Sequence, residues 1–337
     1  MTKTAAPMTS GSIWKQMTFF AMPIFLGNLF QQLYNTVDSL IVGNFLGSSA
    51  LAAVSSSGSL IFMLIGFLSG ISAGAGVIVA RFFGAGDEKN LQRAVHTTVA
   101  FGLVAGVLMT GVGVALSPQI LRWMDTPESV MRESVTYLQI YFAGSLGFVM
   151  YNVLVGILQA VGDSRHPLYY LIVSSVINLV LDLLFITGFH TGVGGAAVAT
   201  VISQIVSALL CFWQLLRTKE SYGLKIRKIR FDKGILVQII KIGLPSGVQN
   251  SIIAFANVIV QSNINAFGEM AMAGYGAYTK VEGFGFLPIN SFTMALTTFV
   301  GQNLGAKQDE RTKKGARFGI LAAVILAELI GVVVFLL

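Results

Sequence analysis

Nine apolar runs, each long enough to cross a lipid bilayer, constrain this 337-residue chain more than any other feature of its sequence. They cover residues 15–46, 50–81, 92–116, 130–160, 167–189, 194–216, 235–267, 271–302 and 314–337. A helix crosses the hydrocarbon core with about 20 apolar residues, whereas spanning strands are shorter and alternate in polarity. Charged residues make up 11% of the chain, against about 25% in soluble domains. The sequence therefore predicts an all-α polytopic protein in a lipid bilayer and excludes an ordinary soluble enzyme.

The chain also repeats itself in one direction, and the two copies keep the same register, apart from a one-residue slip, over about 60 residues. The matched positions are Pro23, Asn28 and Asn35 with Pro245, Asn250 and Asn257, and Gly84-Ala85 with Gly305-Ala306. Such a repeat predicts two helical lobes of the same orientation. The N-lobe takes residues 13–216 and six transmembrane helices, and a partial C-lobe takes 235–337 and three of an expected six. A basic linker, 217–234, joins them, and residues 1–12 are predicted to form a mobile tail.

The positions of Lys and Arg predict the orientation. Most of them precede the first run or follow the second, fourth, sixth and eighth, whereas Arg122 and Arg132 fall on the other side. Because positive loops stay in the cytoplasm, the N-terminus and the linker are predicted to be cytoplasmic. The net charge of +7 thus reflects topology rather than binding to nucleic acid. A single cysteine, Cys211, excludes an intramolecular disulfide and a thiolate metal cluster.

A carboxylate, Asp38, lies inside the first apolar run. On a helix it extends a polar stripe through Asn28, Gln31 and Asn35 at i, i+3, i+7 and i+10, with Tyr34 one turn before it. A charged side chain at this depth costs about 2.5–3.5 kcal/mol on insertion scales. The stripe therefore indicates a functional site that faces protein or water.

A second carboxylate, Asp182, follows Asn178 by one turn in the fifth run. Counted from the span ends, Asp38, Asp182, Thr200 and either Tyr137 or Tyr141 lie at one depth, roughly 9–17 Å below the outer surface. We predict that they share a pocket that takes up a proton or a small cation, with Na⁺ possible at the two carboxylates and no other metal site. The alternative is that each aspartate is a structural residue hydrogen-bonded to Asn or Thr.

Other polar residues in the runs have simpler interpretations. Glu282 and Lys280 are expected to be structural or to line a polar cavity, and their role stays open. Pro23 interrupts the backbone hydrogen bonds of the first run, so the helix can bend there. The sequence does not decide between a hinge and a static kink. The histidines at span ends are expected to be interfacial; they are His96, His166 and His190.

The chain resembles the multidrug and toxic compound extrusion (MATE) transporters from about Trp14 to its last residue. The segments that carry the resemblance are PIFLGNLFQQLYNTVDSLIVG (23–43), ARFFGAGD (80–87), ILQAVGDSRHP (157–167) and GQNLGAK (301–307). It implies two six-helix lobes around a cleft. It implies a cation site at Asp38, Asn178, Asp182 and Thr200, with Tyr137 favoured over Tyr141. It also implies a substrate cavity at Gln31, Tyr34 and Asn152, with Asn35 on the same stripe, and a bend at Pro23. Val260 stands where the second repeat would need a counterpart of Asp38, so coupling is expected in the first lobe alone.

The resemblance implies a secondary antiporter that exports small organic cations or amphipathic drugs in exchange for H⁺ or Na⁺. It would work without a cofactor, as a multi-pass monomer in the plasma membrane. A flippase of lipid-linked or polymeric substrates is the alternative, although such a protein is expected to line its cleft with several Arg or Lys residues. An intramembrane enzyme is disfavoured because the sequence holds no catalytic motif such as HExxH or GxSxG. A passive structural protein is disfavoured by the depth-matched carboxylates.

Overall fold

A computed structural model describes residues 7–124, 126–265, 267 and 269–336, and within them the chain forms helices and turns without a strand. The α-helices are α1 (Ile13–Leu46), α2 (Ser48–Gly84), α3 (Glu88–Trp123), α4 (Glu128–Ala143), α5 (Ser145–Ala160), α6 (Arg165–Leu183), α7 (Gly192–Arg217), α8 (Lys233–Asn265), α9 (Glu269–Gly305) and α10 (Asp309–Leu336). A π-helical turn, Leu184–Gly188, follows α6, and a 3-10 turn, Ile226–Lys228, lies between α7 and α8. The predicted all-α fold is confirmed.

Seven of these helices are long and apolar enough to cross a membrane, and the pair α4 and α5 makes an eighth candidate. Helix α1, with 34 residues, has the length, but its polar stripe lowers its mean hydropathy and it is not among the eight. Its place as a ninth span stays a prediction.

The end of the bundle at residues 84–88, 160–165, 217–233 and 305–309 is here named the basic end, and the opposite one the far end.

The fourth predicted run, 130–160, is two helices rather than one. Helices α4 and α5 meet at Gly144 with a bend of 48°. A Cβ atom at Gly144 would overlap the side chain of Val201 in α7, so glycine is needed where the bend approaches α7.

Glycines bring the two predicted lobes into backbone contact. A Cβ atom at Gly70 or Gly74 of α2 would overlap Gly247 or Gly243 of α8, respectively. At the basic end, a Cβ at Gly84 would overlap the carbonyl of Gln302. Close helix packing in membranes depends on such small residues. The backbones of the two lobes are therefore in close contact in the half of the bundle nearest the basic end.

Two asparagines that occupy equivalent positions in the sequence repeat form hydrogen bonds between the two lobes. The Asn250 amide donates to the carbonyl oxygen of Gly66 at 3.1 Å. The Asn28 amide donates to the hydroxyl of Ser291 at 3.2 Å, and Ser291 in turn donates to the carbonyl of Leu287. Gly66 and Leu287 occupy equivalent positions in the two copies of the repeat. The two bonds therefore reach repeat-related carbonyls, one directly and one through a serine.

Part of the segment predicted as a mobile tail is held by the C-lobe. Met8 is buried, and its N–H donates to the Gln302 side-chain oxygen at 2.7 Å. The Arg311 guanidinium donates to the carbonyls of Met8, Ser10 and Gly11. Residues 8–11 therefore form a short strap across the basic end of α9 and α10, whereas residues 1–6 lie outside the described part of the chain.

The basic linker is docked on α3. Gln92 donates to the carbonyl of Gly223 at 3.0 Å, and the backbone N–H of Lys225 donates to Nε2 of His96 at 3.0 Å. Tyr222 and Leu224 are buried in the same core as α3, α5 and α7. His96, expected at the membrane interface, is a buried residue that fixes the linker, and its depth in the membrane stays a prediction.

Candidate functional site

The two intramembrane carboxyl groups lie next to each other. Asp38 of α1 and Asp182 of α6 are close neighbours, although they are far apart in the sequence. Asp182 is fully buried and Asp38 is partly exposed. Asp38, the last residue of the polar stripe of α1, thus faces the end of α6 inside the N-lobe.

The buried oxygens of this pair receive no hydrogen bond from the described residues. The orphaned atoms are Oδ1 of Asp38 and both carboxyl oxygens of Asp182. Nδ2 of Asn178 is buried and equally unpartnered, and the Thr200 hydroxyl donates to the carbonyl of Ala196 at 3.0 Å. Neither residue therefore neutralises the carboxyl groups. Two carboxylates bond to each other only when one carries a proton, and a cation between them would serve the same purpose.

Three tyrosines surround the pair. Tyr137 and Tyr141 of α4 stack with ring centroids 6.4 Å apart, and Tyr137 is buried beside Asp38. The Gln204 amide of α7 lies near the hydroxyl of Tyr34, which is one turn before Asp38. The geometry therefore brings both candidate tyrosines to the site, with Tyr137 the nearer to Asp38. Gln204 belongs to the site as well, although its position in an apolar run gave no sequence signal.

An apolar cluster separates the carboxyl pair from the far end. Its buried members are Ile41, Val42, Ala50, Tyr137, Ile186, Val193, Ala196 and Ala197. Among these, Ile186 lies in the π-helical turn that starts two residues after Asp182. Such turns frequently occur at functional sites because they change the direction of the side chains that follow. Here the turn carries Ile186, which is buried in the apolar cluster.

A chamber of about 480 Å³ lies on the other side of the pair, toward the basic end. Helices α1, α2, α5, α6 and α9 line it. Of the residues predicted for the substrate cavity, Gln31 and Asn152 line the chamber, and Tyr34 and Asn35 do not. Asn35 is exposed. Gln31 and Asn152 thus lie at the chamber and Tyr34 lies one turn from Asp38, whereas Asn35 belongs to neither place.

Pro23 lies inside α1, which continues from Ile13 to Leu46, and it lines the chamber. It therefore stands at the wall of the chamber, roughly four helical turns before Asp38, and the helix is unbroken there. Glu282 accepts a hydrogen bond from the exposed Tyr278 on its own helix at 3.1 Å. The side chain of Lys280 lies outside the described part of the chain.

Two of the four segments that carry the family resemblance contain an aspartate that caps a helix. In the GDSRHP segment, the Asp163 carboxylate accepts from the backbone N–H of His166 at 3.2 Å and pairs with its ring at 2.7 Å. In the ARFFGAGD segment, Asp87 accepts two hydrogen bonds from Asn90 at the start of α3. These bonds hold the pKa of Asp87 below its ordinary value. Both motifs therefore shape turns at the basic end rather than carry chemistry.

Comparison with known proteins adds independent evidence. The MatE family model matches residues 23–184 and 245–337. The "Probable multidrug resistance protein YoeA" of Bacillus subtilis is 34% identical over 316 residues, which are 92% of this chain and 68% of that protein. The "Multidrug export protein MepA" of Staphylococcus saprophyticus is 24% identical over 96% of this chain and 72% of its own length.

Solved structures agree with the sequence matches. MATE in the bent conformation superposes with a TM-score of 0.88 at 26% identity, over 99% of this chain and 74% of that one. MATE in the straight conformation gives the same TM-score at 26% identity, over 97% of this chain and 73% of that one. The resemblance predicted from the sequence is therefore confirmed.

Proposed function

Because this chain belongs to the MatE family of drug-efflux transporters, we propose that it is a secondary active antiporter driven by inward movement of H⁺ or Na⁺. Its substrates in this proposal are small organic cations and amphipathic compounds. Family members are transporters rather than enzymes, so no catalytic residue is assigned. The observation that carries the proposal is the neighbouring pair Asp38 and Asp182, whose buried oxygens accept no hydrogen bond from the described residues.

The carboxyl pair can exist in two charge states, and each state favours a different distance between α1 and α6. With both carboxylates charged and no cation between them, their repulsion favours separation of α1 from α6. One shared proton, or a sodium ion, joins them and draws the two helices together. Binding of the coupling ion would thus shift the position of α1. Since residues 23 to 31 of α1 line the chamber, this shift would change the space available to a substrate.

The distribution of Lys and Arg also supports a proposal for the orientation of the chain in the membrane. We place the chain in the plasma membrane as a monomer, with the basic end in the cytoplasm, because Lys and Arg favour that side. The coupling ion would then enter from the far end, past the apolar cluster, and the substrate from the basic end. The flippase alternative is not favoured, since no described residue that lines the chamber is Arg or Lys.

Asp38→Asn tests the proposal. The amide keeps the shape of the side chain and removes its charge, so gradient-driven efflux of a fluorescent drug from membrane vesicles should fall to background. Imposing a pH gradient and a Na⁺ gradient in separate runs identifies the coupling ion. Ser39→Ala is the matched control, because Ser39 lies next to Asp38 and its hydroxyl only donates to the carbonyl of Asn35. Efflux at the control level by the Asn variant would refute the proposal.

A further inference from the structure

We infer that the linker between the lobes is an interfacial element that binds the surface of an anionic lipid bilayer. Its apolar side chains, Ile226 and Phe231, enter the boundary between the headgroups and the acyl chains. Its cations contact lipid phosphate groups, and they are Arg227, Lys228 and Arg230. These five residues are here named the linker patch. The inference needs only that the chain lies in a bilayer, and it is independent of the antiport proposal.

Two large apolar side chains of the linker are exposed although they lie outside the α-helices. Ile226, the first residue of the 3-10 turn, is 61% exposed, and Phe231 is 47% exposed. Tyr222 and Leu224, a few residues earlier, are buried in the core of the N-lobe. Exposed apolar side chains that cluster in this way mark a contact surface. The linker thus packs one set of apolar side chains on the protein and presents a second set outward.

The hydrogen bonds that dock the linker define its level along α3. The N–H of Lys225 donates to Nε2 of His96 at 3.0 Å. The N–H of Asp232 donates to the Thr97 hydroxyl at 3.0 Å. Residues 94–121 of α3 contain no Asp, Glu, Lys or Arg, so both bonds lie where the uncharged part of the helix begins. Because charged side chains are costly within the hydrocarbon core, this level corresponds to the edge of that core.

Helix α7 places the linker at the same level. Trp213 is exposed near the end of α7, and the guanidinium carbon of Arg217 lies 4.5 Å from the centroid of its ring. Tryptophan is enriched at the level of the lipid headgroups. The N–H of Leu224 donates to the carbonyl of Leu215, two residues after Trp213, at 2.8 Å. Two helices therefore hold the linker patch where headgroups and acyl chains meet.

The cations of the linker patch have no carboxylate partner within the described part of the chain. Asp232, the next acidic residue in the sequence, pairs with Arg93 at 3.7 Å and caps α8 through the N–H of Ile235. Topology explains the sign of these charges, but it does not explain exposed apolar side chains among them. An anionic bilayer surface accommodates both, because phosphate groups attract the cations and the acyl boundary takes the apolar side chains.

Tryptophan fluorescence in lipid nanodiscs tests the inference, because bromine on an acyl chain quenches an indole that lies beside it. Phe231→Trp is made in a background in which the native tryptophans are phenylalanine; they are Trp14, Trp123 and Trp213. The discs contain phosphatidylcholine with about one phosphatidylglycerol in five lipids, enough for cations to enrich the anionic lipid around them. Bromine is carried either by the phosphatidylglycerol or by an equal amount of the phosphatidylcholine. Both should quench the new indole, and brominated phosphatidylglycerol should quench it at least about twofold more strongly.

Two triple variants show whether the linker patch itself selects the anionic lipid. One replaces the three cations of the patch by glutamine and should make quenching by the two brominated lipids equal. The other removes the same charge from exposed residues of α10, through Lys313→Gln, Lys314→Gln and Arg317→Gln. It should keep the preference for phosphatidylglycerol. Each variant is first checked for a monodisperse elution profile.

The inference is overturned if neither brominated lipid quenches the new indole. Quenching by acrylamide would then show that the patch faces water, and protection from acrylamide would show that protein covers it. Equal quenching by the two lipids in the unaltered patch also overturns the inference. So does a preference that survives in the patch variant or is lost in the α10 variant. None of these measurements involves transport or the carboxyl pair, so the antiport proposal can fail separately.

Discussion

Two buried aspartates lie at opposite ends of α6, one just before the helix and one within its last turn, and they differ in their hydrogen bonding. Asp163, before the helix, is 3% exposed and has its oxygens bonded to the backbone and ring of His166. Asp182, near the end of the helix, is 0% exposed, and neither oxygen receives a bond from the described residues. Residue type and burial are the same. We propose that this difference in partners separates a structural aspartate, Asp163, from one that binds the coupling ion, Asp182.

Asp182→Asn should therefore make the protein more stable and less active. A buried polar group without partners costs about 1–3 kcal/mol, and an amide can donate to Asp38 where a carboxylate repels it. We expect a higher midpoint of thermal unfolding in detergent, with loss of gradient-driven efflux. Such opposing effects are common where a site is strained for function.

Asp163→Ala is the matched comparison. It removes the cap of α6, and a lost cap costs about 0.5–2 kcal/mol, so the unfolding midpoint should fall. If both variants lower the midpoint by similar amounts, the two aspartates are equally structural and the assignment of Asp182 is wrong.

Sequence reasoning identified the residues of the site better than their partners. Asp38, Asp182, Thr200 and the tyrosines could be found because a carboxylate in an apolar run is costly, and helical rise relates their depths. Gln204 could not be found, since an amide in an apolar run occurs equally in ordinary helix contacts. The division of the cavity residues, with Gln31 at the chamber and Asn35 outside it, depends on helix rotation, which periodicity does not determine.

At the scale of the helix, α1 connects the chamber to the carboxyl pair. Pro23 removes a backbone hydrogen bond at the chamber wall, and Asp38 lies roughly four turns further along. Under the hinge interpretation, Pro23→Ala should leave folding and ligand binding intact and slow gradient-driven efflux severalfold. Efflux per folded molecule measures this. An unchanged rate would mean that the proline is a static feature of the packing.

A hydrogen-bonded contact lies beside the chamber at the end of α9. Gln302 of α9 accepts from the N–H of Met8 and donates to the carbonyl of Ala160, a chamber residue, at 2.8 Å. One side chain thus joins the strap of residues 8–11, α5 and α9 at the basic end. The amide is fully buried, so no water replaces these bonds while the contact is closed.

Gln302→Ala should therefore open the basic end more often. Two hydrogen bonds of about 1 kcal/mol each correspond to roughly a thirtyfold shift in the closed-to-open ratio. A membrane-impermeant maleimide applied to inside-out vesicles should then label a cysteine in the chamber wall, Thr297→Cys in a Cys211→Ser background, much faster. Thr312→Ala, which removes only a hydroxyl that donates to its own helix, is the control. Equal labelling rates in the two variants would show that Gln302 does not hold the end closed.

The helices themselves were predictable, since long apolar runs have few alternatives in a bilayer. Their irregularities were not. The bend at Gly144 depends on the approach of Val201 from a distant helix, and the π-helical turn after Asp182 has no signature of its own. The strap of residues 8–11 looked mobile because its sequence is polar, and only contacts made by Arg311 and Gln302 hold it.

For the whole molecule, the fit between the lobes depends on glycine at the basic end. Gly84→Ala should lower the unfolding midpoint, because its new methyl group meets the Gln302 backbone and such overpacking costs about 1–3 kcal/mol. Gly111→Ala is the control, since a Cβ there meets nothing within 4 Å. It should raise stability by about 0.5–1 kcal/mol, as alanine does inside a helix. Equal midpoints would mean that the lobes separate without cost.

The contact at the basic end is reciprocal. A Cβ at Gly84 would meet Gln302, and one at Gly305 would meet Arg81. The sequence repeat relates these residues in pairs: Gly84 in the first copy is equivalent to Gly305 in the second, and Arg81 is equivalent to Gln302. This is the isologous geometry that identical subunits form about a twofold axis. In a true dimer, any substitution would appear on both sides at once. A single chain is free of that restriction, so one side can keep an arginine while the other holds a glutamine that bonds to Met8 and Ala160.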